Sequence, residues 1–90
     1  MIFDVQIHRN VQKVIRDLPP SHQKQFAQLI DVLKEDPVPF KKYDLVRIKG
    51  HKGIFRIRLG DFRLTYEVDD DLFKVKLLKL GPRGKAYKEL

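Results

Sequence analysis

Alternation of apolar and polar residues at the N-terminus predicts a β-strand with one buried face. In "MIFDVQI" the residues of one parity are all apolar, whereas the other parity includes Asp4 and Gln6; the apolar set is Phe3, Val5 and Ile7. A period of two indicates a strand because successive side chains point to opposite faces. We therefore expect a strand over residues 1–7, and a different period from Asn10 onward.

Two amphipathic helices are predicted after Asn10, because apolar residues twice recur at i, i+3, i+4 and i+7. The two sets are Val11, Val14, Ile15 and Leu18, and then Phe26, Leu29, Ile30 and Leu33. Pro19-Pro20 ends the first helix, Ser21 lies near the cap of the second, and Pro37 and Pro39 stop it. So short a link predicts an antiparallel helical hairpin with a shared apolar seam that covers a sheet.

The next part of the chain predicts a connecting segment and a β-hairpin. Residues 38–52 have weak periodicity and are interpreted as a connection with one short turn. Alternation then returns over Gly53–Leu59 and Phe62–Val68, separated by Gly60-Asp61, which is typical of a two-residue primed turn. The "DDD" at 69–71 makes the following turn, so the predicted order is β-α-α-β-β-β.

The last strand, "LFKVKLLKLG" over residues 72–81, changes parity between Leu77 and Leu78. A β-bulge at that point would keep all five apolar residues inward and the lysines outward; the apolar residues are Phe73, Val75, Leu77, Leu78 and Leu80. The alternative is a central strand covered on both faces. "PRGKAYKEL" finishes the chain as a short tail.

Pairing the hairpin through the Gly60-Asp61 turn gives it one apolar and one cationic face. Leu59 pairs with Phe62, Arg58 with Arg63, and Arg56 with Thr65. The apolar face, for the helices to cover, is Phe55, Ile57, Leu59, Phe62, Leu64 and Tyr66. Like charges directly opposite on antiparallel strands cost about 0.2–1 kcal/mol, and guanidinium forks suit phosphate. The cationic face therefore predicts an anion-binding surface, unless its arginines pair with Glu67, Asp69 and Asp70.

Charge and composition favour a nucleic-acid partner. The chain of 90 residues has a net charge of +7; residues 1–40 carry five basic and five acidic side chains, and residues 41–90 carry fourteen and seven. This asymmetry favours a polyanion, with nucleic acid ahead of a membrane surface because no amphipathic helix carries the excess. A basic surface that only aids solubility is the alternative. The length predicts one domain over residues 1–90.

Several classes of site are disfavoured by the residue inventory. The chain has no cysteine, so disulfides and thiolate sites are excluded. Its N-terminus lacks the apolar core of a signal peptide, and no apolar run is long enough to span a membrane. We therefore expect a cytoplasmic protein. Three scattered histidines predict no metal site, and "GHKG" and "GPRG" fit no phosphate-binding loop. His8 and His22 look structural, and His51 is more typical of a loop than of a proton carrier.

These features together resemble a known family. The element order, "GIFRIRLGDFRLTYEV", "IKGHKG" and the ending "LKLGPRGKAY" are similar to the RelE toxins of the RelE/ParE superfamily, most of all to small archaeal-type members, across essentially all 90 residues. The resemblance implies an α+β fold in which the helical hairpin packs on one face of a small, twisted, mainly antiparallel sheet. It also implies a ribosome-dependent mRNA endonuclease that acts in the A site without metal or cofactor, and a RelB-like antitoxin that neutralises it.

The resemblance assigns candidate site residues by position. Arg56 and Arg58 fall on basic residues of the first hairpin strand, Arg63 on that of the next strand, Arg83 on that after the last strand, and Tyr87 on the C-terminal aromatic. From the residues alone, Tyr87 would either stack on a base or dock on the core. Candidate RNA-binding lysines are Lys49, Lys52, Lys74, Lys76 and Lys85.

Two points of the pattern stay open. Many relatives have His or Lys immediately before the tail arginine, where this chain has Pro82, and no general base is evident because arginines hardly ever deprotonate. The ParE branch, which shares the fold and poisons DNA gyrase, is the main alternative; it usually lacks the full set of hairpin and tail arginines. A non-catalytic basic nucleic-acid-binding module is the third reading.

Overall fold

The computed structural model describes residues 2–82, which form two helices packed on a five-stranded sheet. The elements are β1 (Asp4–Ile7), α1 (Arg9–Arg16), α2 (Pro20–Glu35), β2 (Asp44–Arg47), β3 (Ile54–Leu59), β4 (Phe62–Asp69) and β5 (Lys74–Pro82). The strand order is β1-β5-β4-β3-β2. Among the described strands only the β1–β5 pairing is parallel, so the predicted α+β fold with a mainly antiparallel sheet is confirmed. No described helix is long and apolar enough to cross a membrane.

Local hydrogen bonds fix the ends of the two helices. His8 caps α1, its Nδ1 accepting from the backbone N–H of Asn10 at 3.1 Å, which confirms its structural role. Gln23 of α2 donates through Nε2 to the carbonyls of Ile15 and Arg16 at 3.0 Å each, so the second helix ties down the end of the first. Ser21 lies near the start of α2, as predicted, but it does not cap the helix. The N-cap is Pro19 and α2 begins at Pro20, whose fixed φ suits a first helical turn and whose missing N–H would be unsatisfied there anyway.

The core lies between the helices and one face of the sheet. Its buried residues are Val11, Leu18, Phe26, Leu29, Leu33, Phe55, Ile57, Leu64, Tyr66, Val75, Leu77 and Leu80. Both helical stripes and the apolar hairpin face predicted from the sequence contribute to it. Because this face is closed by helices, the polar residues of the same strands lie on the opposite face.

The strand β2 was not predicted. Asp44–Arg47 pairs antiparallel with β3, in the segment interpreted as a connection. It has four residues and lies at the sheet edge, and Leu45 is its one hydrophobic side chain packed against the core. Such a strand is defined by backbone pairing with its neighbour rather than by its own apolar pattern. The element order therefore has one more strand than expected.

The hairpin pairs in the predicted register, with Leu59 opposite Phe62 and Arg58 opposite Arg63. Gly60 has a φ of +62°, and Asp61 does not have a positive φ. A positive φ confined to the first central residue defines a type II′ turn, which glycine adopts without steric cost. The primed turn is thus confirmed.

The bulge in β5 is confirmed, but it does not bring all five apolar residues inward. Thr65 pairs with Lys79 and Tyr66 with Leu77, so Leu78 is the extra residue. Val75, Leu77 and Leu80 are buried, whereas Leu78 is half-buried outside the core. Phe73 precedes the strand with a φ of +52°, and its ring packs edge-on to Phe3 at 5.5 Å between centroids.

Candidate nucleic-acid interface

Three arginines lie together on the sheet face opposite the helices; we call Arg56, Arg58 and Arg63 the arginine cluster. Arg58 is directly opposite Arg63, and Arg56 is directly opposite Thr65. Val68 N–H donates to the Gly53 carbonyl at 2.8 Å, and hydrogen-bonded and non-hydrogen-bonded pairs alternate along an antiparallel ladder. Counting from that bond, the Arg58/Arg63 pair is of the non-hydrogen-bonded kind, in which opposing side chains are closest. The structure therefore places the side chains of these two arginines next to each other where they leave the strands.

Two residues that were not assigned to the site complete the row through Arg56. Thr65 is opposite Arg56 on one side and Lys79 on the other, so Arg56, Thr65 and Lys79 lie in one line across three strands. Thr65 is only 1% exposed, and among the described residues its Oγ1 has no hydrogen-bond partner. The sequence predicted that Lys79 points outward and that β5 has a bulge near Leu78. It did not give the register between β4 and β5, which decides the neighbours of Lys79. A fourth cation thus belongs with the arginine cluster.

The missed strand β2 places a carboxylate beside the arginine cluster. Asp44 is opposite Arg58, and its Oδ2 lies 3.1 Å from Arg58 Nε. Val46, the next residue on the same face, is opposite Arg56. This pairing differs from the alternative considered for the sequence, in which the arginines pair with Glu67, Asp69 and Asp70. Nothing in the local pattern around Asp44 indicated it, because the contact depends on pairing fourteen residues along the chain.

The face becomes mixed in charge away from the arginine cluster. Lys76 is opposite Glu67, and Lys74 is opposite Asp69 on one side and Asp4 on the other. Opposite charges in directly opposed positions stabilise a sheet. Lys74 and Lys76 therefore extend the face but lie among carboxylates, whereas Lys79 lies in the row of Arg56.

The lysines of the loop between β2 and β3 lie at the other end of the hairpin from Arg58. Lys49, His51 and Lys52 are exposed, and β3 runs from this loop toward the turn at Gly60. At about 3.4 Å per residue, Gly53 is roughly 17 Å along the strand from Arg58. Lys52 lines a cavity of about 550 Å³ with Arg47, Glu67 and the acidic run 69–71. The structure does not bring these lysines or His51 to the arginine cluster.

The tail candidates Arg83, Lys85 and Tyr87 lie outside the described residues. The last described strand ends with Gly81 opposite Arg63 and Pro82 opposite Phe62, beside the arginine cluster. Among residues 2–82, no group of three or more histidine or carboxylate side chains is arranged to hold a metal ion.

Comparison with known proteins places the chain in a family. The model of the ParE toxin of the type II toxin-antitoxin system parDE matches residues 2–87. A curated protein of Methanocaldococcus jannaschii, "Putative toxin RelE1", is 43% identical over 90 residues, which is 98% of this chain and 98% of that protein. Both findings cover nearly the whole chain.

Solved structures agree with this placement. A chain of the archaeal RelE-RelB complex from Pyrococcus horikoshii OT3 superposes with a TM-score of 0.86 and 38% identity, covering 94% of this chain and 99% of that one. A chain of the RelB-RelE antitoxin-toxin complex from Methanococcus jannaschii has a TM-score of 0.77 and covers 94% and 98%, but at 20% identity it shows the fold alone. The chain therefore belongs to the RelE/ParE superfamily of type II toxin-antitoxin toxins and is a RelE-type member of it.

Proposed function

We propose that this protein is a ribosome-dependent mRNA endonuclease that cleaves message in the A site and so inhibits translation. The observation that supports it best is the arginine cluster on a rigid sheet face, with Arg58 and Arg63 directly opposed. Two opposed guanidinium groups are unfavourable for folding alone, and a phosphodiester would neutralise them. The fold leaves this face uncovered by the two helices.

The proposed reaction depends above all on cationic side chains near the phosphorus. The 2′-oxygen attacks the adjacent phosphorus, the bond from phosphorus to the 5′-oxygen breaks, and the products are a cyclic phosphate and a 5′-hydroxyl. Negative charge accumulates on the phosphorane, and Arg56, Arg58 and Arg63 would stabilise it from fixed positions along two strands of the sheet. No metal is required by this scheme.

The tail residues would complete the site. Arg83 would support the departing 5′-oxygen electrostatically or supply its proton, and Tyr87 would stack on a base and orient it. Their place in the scheme rests on the family resemblance and on the end of β5 beside Arg63. Because arginines are poor proton acceptors, much of the acceleration would come from the ribosome, which positions the 2′-hydroxyl in line with the phosphorus.

The lysines would bind flanking phosphates or ribosomal RNA. Lys49, Lys52 and Lys85 are proposed contacts outside the cleavage site, and Lys74 and Lys76 would extend the face. We expect smaller contributions from Lys52, Lys74 and Lys76 than from Lys79, since each of the three lies near carboxylates. Salt would weaken all of these contacts, as counterions are released on binding.

A RelB-like antitoxin is the proposed protein partner, in the cytoplasm where ribosomes and mRNA are found. The structurally similar archaeal chain at 38% identity comes from a RelE-RelB complex. A net charge of +7 favours an acidic antitoxin that wraps the toxin as an extended, partly helical segment. Its binding would have to block access of RNA to the arginine cluster.

Inhibition of DNA gyrase is the second candidate function. It is favoured by one observation, the match over residues 2–87 to a family model described as the ParE toxin. Against it stands the full set of hairpin and tail arginines, which suits RNA phosphate chemistry.

The test is expression without antitoxin followed by mapping of mRNA 5′ ends on translated message. Codon-phased cuts are expected for the wild type and should disappear in Arg83→Ala. Arg9→Ala, which removes an exposed arginine from α1 on the helix side, is the matched control and should cut normally. Intact mRNA together with inhibited DNA supercoiling would reject the nuclease hypothesis in favour of gyrase inhibition. No effect in either assay would favour a non-catalytic nucleic-acid-binding module.

A further inference from the structure

The ion pair between Asp44 and Arg58 lies in the middle of the proposed site. Asp44 is on the edge strand β2, its Oδ2 is 3.1 Å from Arg58 Nε, and on the other side Arg58 is opposite Arg63. The three side chains therefore lie in one row, with the carboxylate at its outer end. Asp44 contributes the negative charge nearest to Arg58 in a row otherwise built from cations.

Stability does not explain this pair. The side chain of Arg58 is 50% exposed and that of Asp44 is 57% exposed, and exposed ion pairs contribute little to folding. For an anion-binding face, a carboxylate at this place also costs affinity, because it repels phosphate. A residue that adds little stability and opposes binding needs another role.

The point of contact suggests that role. Asp44 Oδ2 lies 3.1 Å from Nε, the guanidinium nitrogen closest to the strand. A contact at Nε uses one of the five N–H donors and does not require the two terminal nitrogens, which carry the other four. A planar guanidinium fixed at Nε has its remaining donors aimed in one direction. Without Asp44, repulsion from Arg63 would move the Arg58 side chain along its flexible stem.

We propose that Asp44 is a positioning residue of the proposed nuclease: it orients the Arg58 guanidinium for the transition state and lowers the affinity of the face for RNA in the ground state. This inference rests on the proposed function and adds a residue to it. The two effects have opposite signs, which distinguishes the role from simple support of the fold. A group that binds RNA would lower affinity when removed, whereas removal of Asp44 should raise it.

The experiment compares Asp44→Asn with Asp31→Asn, which removes the same charge from α2. Affinity is measured with a fully 2′-O-methylated single-stranded oligoribonucleotide, which lacks the nucleophile and cannot be cleaved. We expect Asp44→Asn to bind it about two- to fivefold more tightly at low salt, and to cleave ribosome-bound mRNA about tenfold more slowly at saturation. Asp44→Glu should recover part of the rate, and Asp31→Asn should change neither quantity comparably.

A readout that needs no activity is the Nε–Hε resonance of Arg58 in the full chain. In the wild type it should differ from the resonance of Arg9, an exposed arginine of α1, and in Asp44→Asn it should move toward it, with Asp31→Asn unchanged. An unchanged Arg58 resonance overturns the proposal, as does weaker RNA binding by Asp44→Asn. A loss of more than about 100-fold in rate would overturn positioning in favour of proton transfer by Asp44 itself. If the wild type does not cleave, the nuclease fails while the binding and resonance measurements still decide the role of Asp44.

Discussion

Arg58 on β3 and Arg63 on β4 are directly opposed on the sheet face that the helices leave uncovered. Their pair is of the close, non-hydrogen-bonded kind, and the carboxylate of Asp44 offsets part of the charge on Arg58. Like charges in directly opposed positions disfavour folding, and that cost is understandable if the face binds a polyanion.

Replacement of Arg58 by threonine should separate folding from binding. Arg58→Thr removes the like-charge contact and introduces a good strand former, so the free energy of unfolding in low salt should stay the same or rise by at most about 1 kcal/mol. Affinity for the methylated oligonucleotide should fall, and the salt dependence of log K should decrease by about 0.7. Urea unfolding and a salt titration measure the two effects.

Arg9→Gln is the control for Arg58→Thr, because it removes an exposed arginine from the helix side. It should leave the salt dependence nearly unchanged. A fall in the unfolding free energy of Arg58→Thr by more than about 1 kcal/mol would mean that Arg58 serves the fold, contrary to this interpretation.

The sequence predicted the hairpin well because its information is local. The Gly60-Asp61 turn fixes the register, and the alternation on both sides assigns Arg58 and Arg63 to one face. Asp44 and Lys79 could not be placed in the same way. Asp44 reaches Arg58 through an edge strand with little pattern of its own, and the row of Lys79 depends on how the bulge at Leu78 shifts the register. Asp44 and Lys79 therefore join the site through pairing between distant segments, which no local signal reveals.

Tyr66 links the sheet to the segment that follows α2, and its hydroxyl should contribute measurable stability. The ring is fully buried, and the O–H donates to the carbonyl of Pro37 at 2.8 Å. Tyr66→Phe keeps the ring and loses the bond, so the free energy of unfolding at neutral pH should fall by about 1 kcal/mol. Tyr43→Phe, at a tyrosine that is only half-buried, provides the control and should cost less.

Tyr66→Phe should also lose less stability than the wild type as the pH becomes alkaline. Burial, and to a lesser degree the charge of Asp36, raises the pKa of Tyr66 above its ordinary value. The folded state then holds the phenol proton where the unfolded chain, with a pKa near 10, releases it. Stability from this group is complete below about pH 10 and is lost as the pH rises beyond it. The stability difference between wild type and Tyr66→Phe should therefore narrow from pH 9 to 11; a constant difference would contradict the shift.

Two glycines of the loop between β2 and β3 should respond differently to alanine. Both have a positive φ, +84° at Gly50 and +78° at Gly53. A Cβ at Gly50 would have no atom within 4 Å, whereas at Gly53 it would lie 2.9 Å from the Val68 carbonyl oxygen. Gly50→Ala should cost about 1 kcal/mol from the left-handed backbone alone. Gly53→Ala should cost clearly more, because the β4 backbone would also have to move; equal costs in urea unfolding would refute the steric argument.

Lys79 should contribute more to RNA binding than Lys76, although both are outward lysines of β5. Lys79 lies in one row with Thr65 and Arg56, whereas Lys76 is opposite Glu67. A phosphate near Lys79 would also meet the arginine cluster, while near Lys76 it would meet a carboxylate. Lys79→Ala should therefore reduce the salt dependence of log K for the methylated oligonucleotide by about 0.7, and Lys76→Ala should change it little.

The comparison between these two lysines also tests where RNA lies on the sheet. Net charge changes equally in the two variants, so a general electrostatic effect of the +7 chain would affect both alike. A larger loss in Lys79→Ala locates the phosphate at the arginine cluster. Equal losses would mean that RNA covers the whole face without preference, and the Arg58/Arg63 pair would then have no special part in binding.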